Sequence, residues 1–107
     1  MDSAPEFSVT RRRTGDAVVI APVGEIDLVT IDALEGELES ARGESARVVL
    51  DLREVSFIDS GGLRLVLEAS RAIESLSVVR GPREVQRVFE LVGLEQCLTM
   101  LERPPDG

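Results

Sequence analysis

The segment Asp59-Ser60-Gly61-Gly62 combines the residue types with which this chain could do chemistry. It joins an apolar pair, Phe57-Ile58, typical of a strand end, to an apolar pattern of helical period. At such a turn the Ser60 hydroxyl is expected to act as helix N-cap, accepting a hydrogen bond from a backbone N–H. The two glycines admit unusual backbone angles and would leave the hydroxyl uncovered. Since ligand sites of open α/β sheets gather at strand-to-helix turns, the segment is also a candidate functional site.

Three chemical roles can be considered for Ser60, and the absence of histidine excludes the first of them. A nucleophilic serine needs a base, and Asp59 alone is a weak one, so a hydrolase is rejected. A phosphate-binding turn would need the lysine of a G-x-x-x-x-G-K motif, which the segment lacks. As an acceptor of phosphate from a kinase Ser60 fits better, because a helix N-terminus stabilises the dianion. The added charge beside Asp59 would repel a partner docked there.

Composition argues against several other classes of protein. A formal net charge of -8 over 107 residues disfavours direct nucleic-acid binding. A single cysteine, Cys97, and no histidine exclude an intramolecular disulfide and the usual zinc sites, so we expect no metal and no cofactor. No apolar run approaches the roughly 18 residues of a membrane span, and the start lacks a signal peptide. These features predict a cytoplasmic protein without membrane contact.

An acidic run covers residues 24–46, which hold seven acids and one base, Arg42. A basic partner surface would complement this run. An acidic, solvated face is the commoner explanation of such a pattern. The sequence leaves both interpretations open.

Hydrophobic periodicity predicts strands that alternate with helices. F-S-V-T-R-R-R and A-V-V-I-A-P-V, joined by T-G-D, indicate a β-hairpin. Helices are predicted from Leu28 to Ala41, from Gly61 to Leu76 and from Val85 to Val92. Asp27 or Thr30 would cap the first helix, Gly43 would end it, and Gly93 would end the third. The short apolar runs R-V-V-L-D-L, L-S-V-V and C-L-T-M-L supply the other strands.

The order β-β-α-β-α-β-α-β predicts a single-domain α/β fold. Its sheet is expected to be mixed and mainly parallel, with an N-terminal β-hairpin, and to be covered by helices. Residues 7–102 would form the domain, with flexible segments at 1–6 and 103–107. The second helix is apolar on two sides, so Leu65, Ala69 and Ala72 belong either to the core or to an interface.

The stretch V-V-L-D-L-R-E-V-S-F-I-D-S-G-G-L resembles the signature of STAS domains, specifically the bacterial anti-sigma factor antagonists. G-E-I-D at residues 24–27 is similar to the turn after the second strand of that family. G-P-R-E-V-Q-R-V-F-E-L-V-G-L is similar to its later helix and the turn that follows. The resemblance extends from about residue 7 to residue 101 and implies the STAS fold.

The resemblance also implies site residues. Ser60 would be the phosphoacceptor, and Asp59 would orient its hydroxyl and the partner. Asp27 would contact the partner from the neighbouring loop, and Gly61 and Gly62 would belong to the same partner-binding surface. Without a functional role, Asp27 would be a helix cap and Asp59 a turn residue. Asp51 is expected to be structural, accepting from loop amides. Family members usually carry a final helix, which is not expected in R-P-P-D-G.

The implied function is that of an anti-sigma factor antagonist. The unphosphorylated chain would bind an anti-sigma factor that is also an ATP-dependent serine kinase, and so release a sigma factor. Phosphorylation at Ser60 would end binding, and a serine phosphatase would reset the switch. The domain itself would be no enzyme. The alternatives are a STAS scaffold of another signalling assembly and an aspartate-phosphorylated receiver-type domain. The latter requires a late lysine, and all twelve bases of this chain are arginine.

Overall fold

The computed structural model describes residues 6–44 and 47–107, so most of the expected N-terminal segment 1–6 lies outside the described residues. The first two strands, β1 (Ser8–Thr14) and β2 (Ala17–Ile26), pair antiparallel. Gly15 in their turn has a φ of 61°, in the left-handed region that glycine adopts without a steric penalty. The predicted β-hairpin is confirmed.

Within the described residues, three helices and four further strands follow the hairpin. In chain order they are α1 (Ile31–Arg42), β3 (Arg47–Asp51), β4 (Val55–Ile58), α2 (Ser60–Ala72), β5 (Leu76–Val79), α3 (Arg83–Leu91), a 3-10 helix (Leu94–Cys97) and β6 (Met100–Leu101). The sheet order is β1-β2-β3-β5-β6, and β4 pairs separately with β2. Every pairing except that of β1 with β2 is parallel. The predicted single-domain α/β fold with a mixed, mainly parallel sheet is confirmed.

The predicted order placed one strand between the first two helices, whereas the strand end expected at Phe57-Ile58 belongs to a second strand there, β4. The chain turns after β3, where the Asp51 carboxylate accepts from the Arg53 backbone N–H at 3.1 Å, as expected for a structural acid. The chain then pairs again with the later half of β2, beyond a register shift at Gly24. Four residues, two of them exposed, carry too little periodicity to reveal a strand.

Several predicted boundaries were wrong. Of the two starts that the predicted caps allowed for α1, the helix takes the later one, at Ile31 after Thr30, and Leu28 lies outside it. Helix α2 ends at Ala72 rather than Leu76, because Ile73 is already extended. The last predicted strand, residues 97–101, is shorter than expected: Cys97 ends a 3-10 helix, and only Met100–Leu101 pair with β5. Gly93 follows α3 with a φ of 72°, so the prediction that it ends this helix is confirmed.

All three helices cover the same face of the sheet. The larger apolar cluster contains side chains of every helix together with those of the strands, including Leu34 of α1, Leu65 and Ala69 of α2, and Phe89 of α3. The cluster on the opposite face contains Ala17, Val19, Val49 and Val79 and no helical residue. Leu65 and Ala69 therefore belong to the core, whereas Ala72 is exposed.

The segment after β6 lies over the opposite face of the sheet. Arg12 is paired with Val19 across the hairpin and so points to this face. Its guanidinium donates twice to the Asp106 carboxylate, at 2.7 and 2.8 Å, and Pro104 is buried. Residues 102–107 contain no helix, as predicted. The flexibility expected for residues 103–107 stays a prediction.

A polar cluster joins the end of β5 to α3 and the 3-10 helix. The buried Gln86 side chain accepts from the Gly81 backbone N–H at 2.8 Å and donates to the Glu95 carboxylate at 2.6 Å. Arg80 donates to the other Glu95 oxygen at 2.9 Å. The hydrogen bond from Arg80 lowers the pKa of Glu95, against the opposing effect of desolvation.

This lowered pKa predicts a loss of stability in acid. A carboxyl group whose pKa is depressed in the folded state contributes its full stabilisation at pH values above its unfolded pKa. For the glutamate side chain of Glu95 that ordinary pKa is 4.5. The contribution disappears as the pH falls through the folded pKa. We expect the free energy of unfolding, measured by urea titration, to fall less steeply below about pH 5 in Glu95→Gln than in the wild type.

The control for this prediction is Glu90→Gln, which changes an exposed glutamate of α3. It should keep the pH dependence of the wild type. Some dependence should persist in Glu95→Gln, because Arg12 also lowers the pKa of Asp106. If the free energy of unfolding of Glu95→Gln fell with pH as steeply as that of the wild type, the Arg80–Glu95 pair would have no role in the acid dependence.

Helix α2 approaches the sheet closely at Gly62. A Cβ on Gly62 would lie 2.6 Å from Ile58 Cγ1 and 2.8 Å from Ile26 Cγ2, both in the core. A Cβ on Gly61 would have Asp59 Oδ1 as its nearest neighbour, at 3.4 Å. Both glycines are helical and make no use of the unusual backbone angles that glycine admits. The tight approach of helix to sheet is what requires glycine at position 62.

Substitution of the two glycines should separate these environments. Gly62→Ala is expected to destabilise the fold by about 1–3 kcal/mol, the usual cost of overpacking a core. Gly61→Ala makes the same chemical change in ordinary van der Waals contact, and alanine is the better helix former by up to about 1 kcal/mol. Urea unfolding should therefore give a lower midpoint for Gly62→Ala only. Equal midpoints would show that α2 can move off the sheet without loss.

Candidate functional site

Two acidic turns meet where β2 and β4 end. Ile26 and Ile58 are paired in parallel, and Asp27 and Asp59 follow them directly. The Asp59 backbone N–H donates to the Ile26 carbonyl at 3.1 Å, which joins the two turns. The predicted residues Asp27, Asp59, Ser60 and Gly61 therefore share one edge of the sheet. Gly62 is buried beneath them and takes no part in the accessible surface.

Asp59, and not Ser60, caps helix α2. Asp59 has extended backbone angles, and its carboxylate accepts from the Gly62 backbone N–H at 2.9 Å. Ser60 is the first helical residue, so the expectation that its hydroxyl caps the helix was wrong. Aspartate and serine are both good N-caps, and adjacent in sequence they do not reveal which one occupies the position. As a result, the Ser60 hydroxyl has no capping role.

Ser60 is exposed at the first turn of α2. In the described part of the chain no hydrogen bond joins its side chain to that of Asp59, whose carboxylate is held by the Gly62 N–H. The helix N-terminus places partial positive charge at the hydroxyl. Arg64, which sequence reasoning missed, lies one helical turn further on and is also exposed. Ser60 is thus accessible to a modifying enzyme and lies where negative charge is favoured.

Asp27 holds the loop before α1 in shape. Its carboxylate accepts from the backbone N–H groups of Val29 and Thr30, at 3.0 and 3.2 Å. The Thr30 hydroxyl donates to the Glu25 carbonyl at 2.7 Å and accepts from the Asp27 N–H at 2.9 Å. Thr30 occupies the N-cap position without a side-chain capping bond. Of the two predicted caps, Thr30 has the position and Asp27 binds the backbone amides.

The rigid Asp27 loop presents two apolar side chains to solvent. Leu28 and Val29 are 87% and 88% exposed. Beside them a shallow cavity of about 340 Å³ opens, with Phe7, Val29 and Ser56 in its lining. Sequence reasoning placed Leu28 in the helix and so missed this pair. The one sequence signal was Thr30 as a candidate cap, which would leave both residues outside the helix. Exposed apolar residues next to charged ones are typical of protein-binding surfaces.

The described residues offer no evident metal centre and no membrane span. In the ranges 6–44 and 47–107, no three side chains of His, Cys, Asp or Glu are grouped so that they could hold a metal ion. None of the helices in these ranges is long and apolar enough to cross a bilayer. The chemistry available at the edge is therefore that of a hydroxyl, two carboxylates and an apolar pair.

Comparison with known proteins places the chain in a family. The family model described as "Mlab, STAS domain" matches residues 9–102. The anti-sigma-F factor antagonist RsfB of Mycobacterium tuberculosis is 30% identical over 110 residues, covering 98% of this chain and 90% of RsfB. An anti-sigma F factor antagonist of Lysinibacillus sphaericus is 30% identical over 87 residues, covering 76% of this chain and 74% of that protein.

The fold is also that of a solved anti-sigma factor antagonist. The crystal structure of one from Mycobacterium paratuberculosis superposes with a TM-score of 0.87 at 27% identity, covering 97% of this chain and 93% of that one. The family expected from the segment around Ser60 is thereby confirmed. The chain belongs to the STAS domain family, and its named relatives are anti-sigma factor antagonists.

Proposed function

We propose that the chain is an anti-sigma factor antagonist whose affinity for its partner is controlled by phosphorylation of Ser60. The observation that carries this proposal is the exposed Ser60 hydroxyl at the start of α2, with the capping task left to Asp59. Because Ser60 caps nothing, its modification can change the surface without removing a hydrogen bond on which the helix depends. The names of the relatives supply the class of partner.

The partner surface consists of Asp27, Leu28, Val29, Asp59 and Ser60. The two apolar side chains would enter a partner's pocket, and the acids would face basic groups of the partner. Gly61 is exposed and has no side chain, so a partner could approach the first turn of α2 closely. Gly62 supports this surface from below rather than touching the partner.

Phosphorylation would act on this surface through charge. A phosphoserine adds about -1.5 to -2 charges, next to the carboxylate of Asp59. The helix N-terminus and Arg64 would stabilise the dianion in the free protein. A partner fitted to the neutral hydroxyl would instead meet new bulk and a desolvated charge. A hundredfold loss of affinity corresponds to only about 2.7 kcal/mol.

In this proposal the chemistry belongs to other proteins. The anti-sigma factor carries the serine kinase activity and its ATP, and a serine phosphatase removes the phosphate. The chain contributes the acceptor hydroxyl and a docking surface, and is itself no enzyme. It would act in the bacterial cytoplasm, where sigma factors direct transcription.

A second candidate function is a regulatory STAS module within another signalling assembly. The matching family model, described as "Mlab, STAS domain", names no anti-sigma factor and so favours keeping it. The same surface would then bind a different partner, and the proteins that co-purify with the chain separate the two functions. Membership of the STAS family removes the receiver-type alternative.

The central prediction concerns two Ser60 variants. Ser60→Asp should weaken binding to the anti-sigma factor by about tenfold or more, because a single buried like-charge contact costs at least about 1.4 kcal/mol. Ser60→Ala should bind like the wild type and should not be phosphorylated by the anti-sigma kinase with ATP. Calorimetric titration gives the affinities, and mass spectrometry of the treated wild type locates the phosphate. A phosphate found only on another residue, or equal binding of both variants, would defeat the proposal.

A further prediction concerns the exposed apolar pair. Leu28→Ser and Val29→Ser should each weaken partner binding by about tenfold, as expected for apolar anchors of an interface. Stability should change by less than about 0.5 kcal/mol, because both side chains already lie in water. Leu91→Ser is the matched control, since Leu91 is 74% exposed at the far end of α3. An equal effect of Leu91→Ser would indicate that the loss is not specific to the Asp27 loop.

A further inference from the structure

A groove between α1 and α2 lies outside the surface around Ser60. Its floor is apolar and consists of Leu38, Leu65, Ala69 and Ile73, each between 3% and 8% exposed. Its rim carries Glu35, Glu39, Arg42, Glu68 and the small side chain of Ala72. The enclosed volume is about 110 Å³. Small residues on this side of α2 leave the space open, which explains why the helix is apolar on two sides.

The rim of the groove is acidic. The rim has three glutamates and one arginine. Within the described residues Arg42 forms one ion pair, with Glu39 at 3.8 Å, and both side chains are largely exposed. Such a pair contributes little. In the described part of the chain Glu35 and Glu68 form no ion pair. The arginines Arg64 and Arg71 of α2 are not among the lining residues. The groove thus has an unbalanced negative rim over an apolar floor.

The size of the groove limits what can occupy it. An apolar cavity of about 150 Å³ holds benzene, so 110 Å³ is suited to one branched aliphatic side chain. The charges favour basic residues on both sides of that side chain. We propose that the α1–α2 groove binds a basic segment of a partner protein by enclosing one leucine-like side chain between its glutamates. This contact goes beyond the proposed function and does not depend on Ser60.

The groove is set back from the phosphorylation surface. Leu65 follows Ser60 by five residues, which is about 7.5 Å along the helix, and the other α2 residues of the groove lie further still. Glu68 and Ala72 lie about 12 Å or more from Ser60 along the helix, beyond the Debye length of about 8 Å at 0.15 M salt, so a charge at Ser60 acts only weakly on most of the groove at that ionic strength. A protein bound here could stay bound whether or not Ser60 carries phosphate.

Two synthetic peptides test the proposal on the purified chain. Acetylated, amidated Lys-Lys-Leu-Lys-Lys should shift the methyl NMR signals of Leu38, Leu65 and Ile73 in a saturable manner at about 0.15 M salt. Lys-Lys-Ser-Lys-Lys has the same charge and should bind at least fivefold more weakly. Equal binding of the two peptides would mean that only surface charge attracts them, and the proposal would fail. It would also fail if neither peptide shifted these methyl signals.

Variants of the chain locate the contact. Ala72→Phe should fill the groove and weaken binding of the leucine peptide at least fivefold, and because Ala72 is exposed the fold should tolerate the change. Ala33→Phe introduces the same side chain on an exposed position of α1 outside the groove and should bind normally. Equal weakening by both would overturn the assignment. Glu35→Gln combined with Glu68→Gln should also weaken binding severalfold.

Ser60→Asp keeps this proposal separate from the proposed function. The peptide experiment contains no anti-sigma factor, so it can succeed even if the partner is another protein. Ser60→Asp should leave the peptide affinity unchanged within twofold. A loss as large as that of Ala72→Phe would place the peptide on the Ser60 surface and would refute a separate groove contact.

Discussion

The parallel pairing of β4 with the end of β2 is the constraint on which the site depends. It sets Ile26 beside Ile58, and the chain leaves both strands through an aspartate. One backbone hydrogen bond, from Asp59 N–H to the Ile26 carbonyl, holds the two turns together. Without this pairing, Asp27 and Ser60 would belong to unrelated loops. The edge that brings Asp27 and Ser60 together is thus a product of one short strand.

Within this edge, structural and functional tasks are divided between neighbouring residues. Asp59 caps the helix, Gly62 lets the helix approach the sheet, and Asp27 fixes its loop through backbone amides. Leu28, Val29 and Ser60 take none of these tasks and project into solvent. Under the proposed function this division would let the surface change its charge without unfolding, because the Ser60 hydroxyl forms no hydrogen bond on which α2 depends within the described residues.

The two faces of the sheet are covered by different elements. The helices and the large apolar cluster occupy one face, which leaves a groove between α1 and α2. The other face has a small cluster of Ala17, Val19, Val49 and Val79, met by the segment that ends in the Arg12–Asp106 pair. Polar contacts of Gln86 and Glu95 join α3 to the end of β5. The outward sides of α1 and α2 therefore remain available for partners.

The sequence by itself determined the fold class, the hairpin, the three helices and the family. Apolar periodicity is a local property, and the D-S-G-G-L segment is distinctive enough to be recognised without coordinates. The position of Gly93 after α3 followed from local chemistry as well, because a left-handed residue there favours glycine.

Only the tertiary structure decided what depends on distant contacts. Strand β4 is four residues long, and although its apolar end was recognisable, its pairing with the later half of β2 is encoded by no local pattern. The choice of Asp59 over Ser60 as cap, and the close contact that requires Gly62, depend on how α2 sits on the sheet. The exposure of Leu28 and Val29 likewise follows from the loop that Asp27 fixes. Residue types reveal what a position can do, whereas packing decides which of those possibilities it performs.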